Sequence, residues 1–284
     1  MAASAKTSTR EKPNPTAEWT IVLPRHGKQR RKFPEIKTSE QKDTSWGPSD
    51  VETDPEREIK LMRKMQNYIE KLEDSQFYRT FLDQIQTAEM LEYFSKVLGS
   101  ESSMEMVVYG IGSIESSESS RWQLALAILM KRKFSWIGCM EVFDPVISLS
   151  ESRVLEALGF SVLSVNEQGR RKATRPTLFF MPHCEAELYD HLLEANWRGG
   201  MLNRIVLFGN SFEVYEESLS LCQNSFLVDS TKHMLALKKY RKEFEIRTVS
   251  DDYFRAFNGS SWHFFGTVVD EITLQFQSAL KMSD

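Results

Sequence analysis

Two glycines and a serine follow the first apolar run in the main part of the chain. The run from Met106 to Ile111 predicts a buried strand. Gly110, Gly112 and Ser113 lie at the end of this strand, where an α/β sheet places the crevice that binds nucleotides. The third glycine of the G-x-G-x-x-G pattern is absent, because position 115 is Glu. We predict that these three residues bind a cofactor, with a simple strand-ending turn as the open alternative.

An acidic residue follows the second apolar run, from Trp136 to Phe143. Asp144 stands where Rossmann-like proteins often place an acid on a ribose hydroxyl, although it lies farther from Gly112 than the usual ~20 residues. Asp144-Pro145 is also an ordinary way to open a turn. A methyltransferase would have an acid at the end of the first strand, where this chain has Tyr109. We therefore predict that Asp144 binds the cofactor, and the open alternative is that it only begins a turn.

A histidine and an asparagine follow two later predicted strands. His183 comes after Thr177 to Met181, a strand expected beside the first one, and imidazole has a pKa suited to a general base. His183 is therefore the predicted catalytic residue, with helix capping or a polar niche as the alternative. Asn210 follows Arg204 to Phe208 and is predicted to complete the cofactor-binding rim, unless it serves only as a turn residue. Cys184 lacks a third ligand, so no metal site is predicted.

The elements that must position these residues alternate between apolar runs and helical patterns after Gly99. Such alternation predicts an α/β fold, a Rossmann-like three-layer sandwich with a mainly parallel sheet, over residues 100–284. Loops that follow parallel strands meet at one edge of the sheet, so a shared pocket is expected there. The predicted strands are Met106–Ile111, Trp136–Phe143, Phe160–Val165, Thr177–Met181, Arg204–Phe208 and Phe244–Val249.

Two further segments precede this domain. Residues 55–99 read as two helices with a break near Asp74-Ser75, and one apolar stripe includes Met65 and Ile69. The stripe favours packing on the main domain over a coiled-coil dimer. Residues 1–54 are rich in Lys, Arg, Ser, Thr and Pro and are predicted to be a disordered basic leader.

Composition restricts the class of protein. The formal net charge of -4 is too small to attract or exclude polyanions by bulk electrostatics, and three separated cysteines argue against a disulfide framework or a zinc finger. The apolar helical run from Trp122 to Met130 is too short to span a bilayer of about 30 Å, so a soluble intracellular protein without membrane contact is expected. The basic run from Arg25 to Lys32 could be a nuclear import signal or a phosphate-binding arm. No aromatic platform accompanies it, so sequence-specific DNA binding is not expected.

An ordered set of short blocks resembles one known family. The blocks are Val108–Ser113, Ser120–Ala125, Glu141–Pro145, Phe180–Cys184 and Leu207–Ser211, and the set covers roughly residues 60–265. Together they resemble the plant SENSITIVITY TO RED LIGHT REDUCED proteins, as does Trp19 followed by a basic run.

The resemblance implies a regulator of the circadian clock and of phytochrome B-mediated red-light signalling that affects flowering time. It implies a location in nucleus and cytoplasm and partners among clock or light-signalling proteins. The family supplies no catalytic residues, so no reaction is assigned, no cofactor is named and a role other than catalysis is favoured. The alternative is a Rossmann-like enzyme or sensor that binds a nucleotide-type or adenosyl cofactor, with a small molecule as an additional partner.

Overall fold

Within the described residues, seven strands form one mixed sheet at the centre of the structure. The computed structural model describes residues 46–48, 54–198, 200–221, 230–247 and 251–266, all within one compact unit, Lys42–Asp284. The strands are β1 (Met104–Tyr109), β2 (Ile137–Phe143), β3 (Phe160–Val162), β4 (Thr177–Met181), β5 (Ile205–Asn210), β6 (Arg241–Glu245) and β7 (Ser260–Phe265). Their order is β3-β2-β1-β4-β5-β7-β6. Strands β1 to β5 are parallel, whereas β7 is antiparallel to both β5 and β6.

Helices cover the sheet on both faces. They are α1 (Pro55–Glu73), α2 (Gln76–Ile85), α3 (Ala88–Leu98), α4 (Glu118–Lys133), α5 (Leu149–Ala157), α6 (Ala186–Ala195), α7 (Phe212–Leu221), α8 (Lys232–Ala236) and α9 (Asp251–Phe257). Helices α1 to α5 and α9 supply buried residues to one hydrophobic cluster, and α6 to α8 supply the other. The predicted α/β fold with a mainly parallel sheet is confirmed.

Side-chain alternation explains why the central strands are apolar throughout. Successive residues of a strand point to opposite faces of the sheet. Met106 and Val108 of β1 belong to the first hydrophobic cluster, and Val107 and Tyr109 belong to the second. All four side chains are buried, because helices cover both faces of the parallel strands.

The segment before the sheet contains three helices instead of the two predicted. The break near Asp74-Ser75 is present, and a second break occurs where the Thr87 side chain accepts a hydrogen bond from the Met90 amide and begins α3. Met65 and Ile69 of α1 are fully buried in the first cluster. The division of the chain at residue 99 stays a prediction, and nearly all of the predicted leader lies outside the described residues.

The aromatic segment near the end of the described chain forms a strand that the sequence did not predict. All six residues of β7 are buried, and β7 lies between β5 and β6. The predicted strand Phe244–Val249 is instead β6, Arg241–Glu245. β7 is inserted by antiparallel pairing between β5 and β6, and local periodicity carries no signal for its place in the sheet.

Candidate functional site

The strand order creates a switch point between β1 and β4. The chain leaves β1 towards β2 and β3 on one side and returns to β4 on the other, so the loops after β1 and β4 diverge at the carboxyl edge. Ligands of open α/β sheets bind in the crevice at such a point. The two loops touch here, because the Cys184 thiol donates a 3.4 Å hydrogen bond to the Tyr109 carbonyl oxygen.

Both predicted glycines adopt backbone conformations that favour glycine. Gly110 has a φ of 67° and Gly112 a φ of 71°, in the left-handed region. A Cβ on Gly110 would lie 2.4 Å from the Cys184 Sγ, and a Cβ on Gly112 would lie 3.0 Å from the Ser120 Oγ. The close approach at Gly110 is therefore made by the protein's own side chain, as the turn interpretation expects, and cofactor binding stays a prediction.

Asp144 holds the glycine loop through its carboxylate. The Gly112 amide donates to Oδ2 at 2.8 Å and the Val146 amide donates to Oδ1 at 3.0 Å. Asp144 is only 7% exposed, so these bonds compensate for its burial. The predicted ribose contact would require a ligand hydroxyl to share an oxygen that already accepts a backbone hydrogen bond.

Ser113 bonds to a buried glutamate that the sequence analysis missed. Its hydroxyl donates to Oε1 of Glu151 at 2.7 Å, and the Glu115 amide donates to the same oxygen at 3.0 Å. Oε2 accepts from the Ser148 amide at 2.8 Å, which completes a capping box at the start of α5. The Ser148-x-x-Glu151 spacing was the signal that could have identified this residue.

His183 lies at the surface in a left-handed backbone conformation that is unusual for a residue with a side chain. Its φ is 57°, and its amide donates a 2.9 Å hydrogen bond to the Asn210 Oδ1. The ring Nε2 lies 3.3 Å from the Asn258 carbonyl oxygen, which can only accept, so Nε2 carries the hydrogen and Nδ1 has the lone pair. Surrounding atoms remove solvent from the ring and lower the pKa of His183, which outweighs the opposing effect of the Asn258 carbonyl. On the neutral ring, Nδ1 is the nitrogen that can accept a proton.

Asn210 connects β5 to the loop after β4. Its Oδ1 accepts from the His183 amide, and its Nδ2 donates to the Cys184 carbonyl at 3.1 Å and to the Tyr215 hydroxyl at 2.8 Å. Its own amide donates to the Tyr189 hydroxyl at 3.0 Å. Asn210 therefore positions the His183 backbone, a role that uses both ends of its amide.

A buried polar network below Asn210 was also not predicted from the sequence. His263 of β7 is fully buried, and its Nε2 donates to the Asn210 carbonyl at 2.9 Å. Its Nδ1 lies 3.7 Å from the Glu243 carboxylate, which Arg241 contacts at 3.2 Å. Burial, and to a smaller extent the Arg241 charge, lower the pKa of His263 to about 3 despite the Asn210 carbonyl. Only the tertiary pairing of β7 with β5 and β6 brings these groups together.

The predicted residues thus form two hydrogen-bonded groups at one edge of the sheet. Gly112 and Asp144 belong to the first group, and His183 and Asn210 belong to the second. Ser113 joins the first group through Glu151 and α5, and Gly110 lies against Cys184 between the groups. The arrangement can hold loops in a fixed shape, and His183 offers a base at its rim.

Two cavities lie in the described part of the chain, and neither is lined by Gly110, Gly112, Asp144, His183 or Asn210. One of about 540 Å³ is lined by residues that include Arg57, Lys60 and Glu115, and one of about 340 Å³ by residues that include Asp190 and His191. Among the described residues, no cluster of three or more His, Cys, Asp or Glu side chains is placed to hold a metal ion. No helix in the described part of the chain is long and apolar enough to cross a membrane.

Comparison with known proteins gives one family over most of the chain. The model of the SRR1 domain matches residues 81–264. The Arabidopsis thaliana Protein SENSITIVITY TO RED LIGHT REDUCED 1 is 52% identical over 256 residues, covering 89% of this chain and 92% of the relative. The Mus musculus SRR1-like protein is 41% identical over 127 residues, covering 42% of this chain and 49% of the relative.

A solved structure, the plantazolicin methyltransferase BpumL in complex with SAH, is similar at 13% identity. The likeness covers 74% of this chain and 96% of that one, with a TM-score of 0.33, too low to support an argument about either chemistry or ligand.

Proposed function

This chain belongs to the SRR1 domain family, and we propose from this membership that it acts in the response to red light. The observation that carries the proposal is the 52% identity to the Arabidopsis relative over 89% of this chain and 92% of that protein. The name of that relative describes reduced sensitivity to red light. Likeness over nearly the full length of both chains supports a shared role.

In its finer form, the proposal is a regulator of the circadian clock and of phytochrome B-mediated red-light signalling that affects flowering time. It works through contacts with proteins of those pathways. The internal bonding of the carboxyl edge supports this over catalysis, since Asp144, Glu151 and Asn210 each use their side chains on the protein's own backbone. Loops held in this way present a fixed surface to a partner.

A rescue experiment tests the proposal. Arabidopsis seedlings that lack the relative should regain normal hypocotyl length in red light, a normal leaf-movement period and normal flowering time when they express this chain. A chain carrying His183→Gln, which loses the titratable ring but keeps the backbone bonds of Asp144 and Asn210, should rescue equally if the protein acts through interactions alone. Failure of the unaltered chain at equal protein level would contradict the proposed role, and failure of the His183→Gln chain alone would favour the site-dependent alternative.

We also propose that the protein resides in both nucleus and cytoplasm. The basic run from Arg25 to Lys32 supports the nuclear part, because such clusters serve as import signals. A fluorescent fusion in which the five Lys and Arg residues of this run are alanine should lose its nuclear signal and keep its cytoplasmic one. If the fusion protein keeps its nuclear signal, the basic run is not the import signal.

The second candidate is an enzyme or sensor that binds a nucleotide-type or adenosyl cofactor. The specific observation that favours it is the switch point between β1 and β4, where the loops carrying Gly112, His183 and Asn210 meet. In this candidate Gly110, Gly112, Ser113, Asp144 and Asn210 hold the ligand. His183 is the general base, because Nε2 faces the Asn258 carbonyl and leaves Nδ1 as the proton-accepting nitrogen.

Thermal unfolding with a panel of nucleotides, nicotinamide and adenosyl cofactors and haem tests this candidate. A ligand at 100 times its dissociation constant adds about 2.7 kcal/mol, which raises Tm by several degrees in a domain of this size. Gly112→Val should abolish the shift. Gly99→Val is the matched control, because Gly99 also has a left-handed φ, 57°, but has open space around it and lies before β1. If no compound shifts Tm, the interaction proposal is the one that remains.

A further inference from the structure

Trp46 is held at the carboxyl edge of the sheet by residues of β2 and of the loops after β2 and β3. Its amide donates a 2.7 Å hydrogen bond to the Ser164 carbonyl, and its indole Nε1 donates to the Pro145 carbonyl at 3.3 Å. The indole meets the Phe143 ring edge-on, with ring centres 5.4 Å apart. These three groups form what we call the edge notch: the Phe143 ring and the carbonyls of Pro145 and Ser164.

The indole lies across the end of the sheet. Trp46 packs against both hydrophobic clusters, which occupy opposite faces of the sheet, and it stays partly exposed. A side chain that touches both faces must pass over the strand ends between them. The edge notch is therefore part of the crevice side of the sheet, where α/β proteins bind ligands.

The edge notch is continuous with the predicted ribose-binding acid. Asp144 lies in sequence between Phe143, which supplies the ring, and Pro145, which supplies the carbonyl. The Asp144 carboxylate reaches the Gly112 amide in the glycine loop. A nucleoside whose ribose reached Asp144 would place its base within reach of the edge notch.

We propose that the edge notch is a binding site for a flat heteroaromatic base, of the purine class, and that Trp46 occupies it as an internal competitor. Indole and purine are both flat fused two-ring systems that stack on or meet aromatic rings edge-on. The indole N–H donates to the Pro145 carbonyl, and the exocyclic amine of adenine can donate to the same oxygen. A ligand must displace residues 46–48 before its base can enter, so this segment regulates access to the site. The inference deepens the ligand-binding candidate and rests on it for the role of Asp144.

Binding of adenosine to the full chain and to a Trp46→Ala variant tests the proposal. When only a fraction of molecules has the notch open, the apparent dissociation constant rises by the inverse of that fraction. Trp46→Ala should therefore lower the apparent dissociation constant for adenosine at least tenfold in equilibrium dialysis. The matched control is Trp19→Ala, a tryptophan replacement in the predicted leader, which should leave the constant unchanged. N-acetyl-L-tryptophanamide, which carries the ring now in the notch, should also bind the Trp46→Ala chain.

Three outcomes would overturn the proposal. Weaker adenosine binding by the Trp46→Ala chain would make Trp46 a wall of the site instead of a competitor. Equal binding by all chains would place adenosine elsewhere, and binding of N-acetyl-L-tryptophanamide without adenosine would exclude the purine class. If the Trp46→Ala chain binds adenosine and still binds it after Gly112→Val is added, the proposal for the edge notch stands even though the glycine loop does not hold the ligand. The seedling rescue tests the role in red light and depends on neither ligand-binding proposal.

Discussion

At the scale of single residues, the polar side chains of the carboxyl edge mostly bind the protein's own backbone. Asp144 accepts from two amides, and Asn210 accepts from His183 while donating to the Cys184 carbonyl. Buried polar groups need such partners, because burial without a hydrogen bond costs about 1–3 kcal/mol in proteins. His263 is the residue whose buried state has the clearest measurable consequence.

We expect the stability of the protein to fall as pH is lowered below 6.5, in part because of His263. The folded chain holds the pKa of this imidazole at about 3 instead of the usual 6.5, since the ring is buried near Arg241. Between these values the unfolded chain binds a proton that the folded chain does not, so unfolding becomes easier as pH falls. The effect is at most about 1.4 kcal/mol per pH unit.

Urea unfolding of the His263→Gln variant from pH 7.5 to pH 4.5 measures this contribution. Glutamine can still donate to the Asn210 carbonyl but does not titrate, so the variant should lose stability less steeply on acidification. The unaltered chain, measured over the same pH range, is the reference for this slope. An acid slope for His263→Gln equal to that of the unaltered chain would show that His263 does not cause it.

At the scale of elements, the loop after β1 and the loop after β4 are fitted to each other through Gly110 and Cys184. A methyl group at position 110 would meet the Cys184 Sγ at 2.4 Å, and the φ of 67° is unfavourable for alanine. The two loops therefore restrict each other's sequence, although 74 positions separate the two residues in the chain.

Gly110→Ala should destabilise the protein by about 2–4 kcal/mol, through backbone strain and overpacking together. Adding Cys184→Ala removes the overpacking and leaves the strain, so the two changes should be non-additive, with a coupling energy of about 1–3 kcal/mol. Urea unfolding of both single variants and the double variant measures the coupling. Gly99→Ala is the control partner, since its φ is also left-handed and no atom lies within 4 Å of its added Cβ. Additivity at Gly110 would mean that the loops can separate without cost.

At the scale of the whole molecule, the helices before the sheet are part of its core. Leu61, Met65 and Ile69 of α1 and Phe77 of α2 are at most 3% exposed, in the same cluster as β1 and β4 side chains. The SRR1 domain match begins at residue 81, inside α2. The region that defines the family is therefore shorter than the region that covers the sheet.

A chain that begins at residue 81 should fail to unfold cooperatively and should bind the dye ANS, because the first cluster would be open to water. Each large apolar side chain lost from such a core removes about 1.5–3 kcal/mol of burial. A chain that begins at residue 54 keeps α1 and should unfold with a sharp urea transition. Equal midpoints for the two chains would contradict the structural role of α1 and the first part of α2.

The fold class, and the edge of the sheet that carries the candidate residues, could be predicted from the amino-acid sequence alone. Apolar runs such as Met106–Ile111, separated by helical patterns, predicted the parallel sheet, and the polar residues after those runs had to meet at one edge. The resemblance of the blocks to one family was also confirmed by the SRR1 domain match.

Tertiary structure alone decided what those residues touch. The insertion of β7 beside β5 buried His263 under Asn210, the return of the chain after β4 placed Cys184 against Gly110, and Trp46 settled on the end of β2. Periodicity reports which face of an element is apolar, whereas pairings between distant segments depend on packing and hydrogen-bond geometry that exist only once the chain has folded.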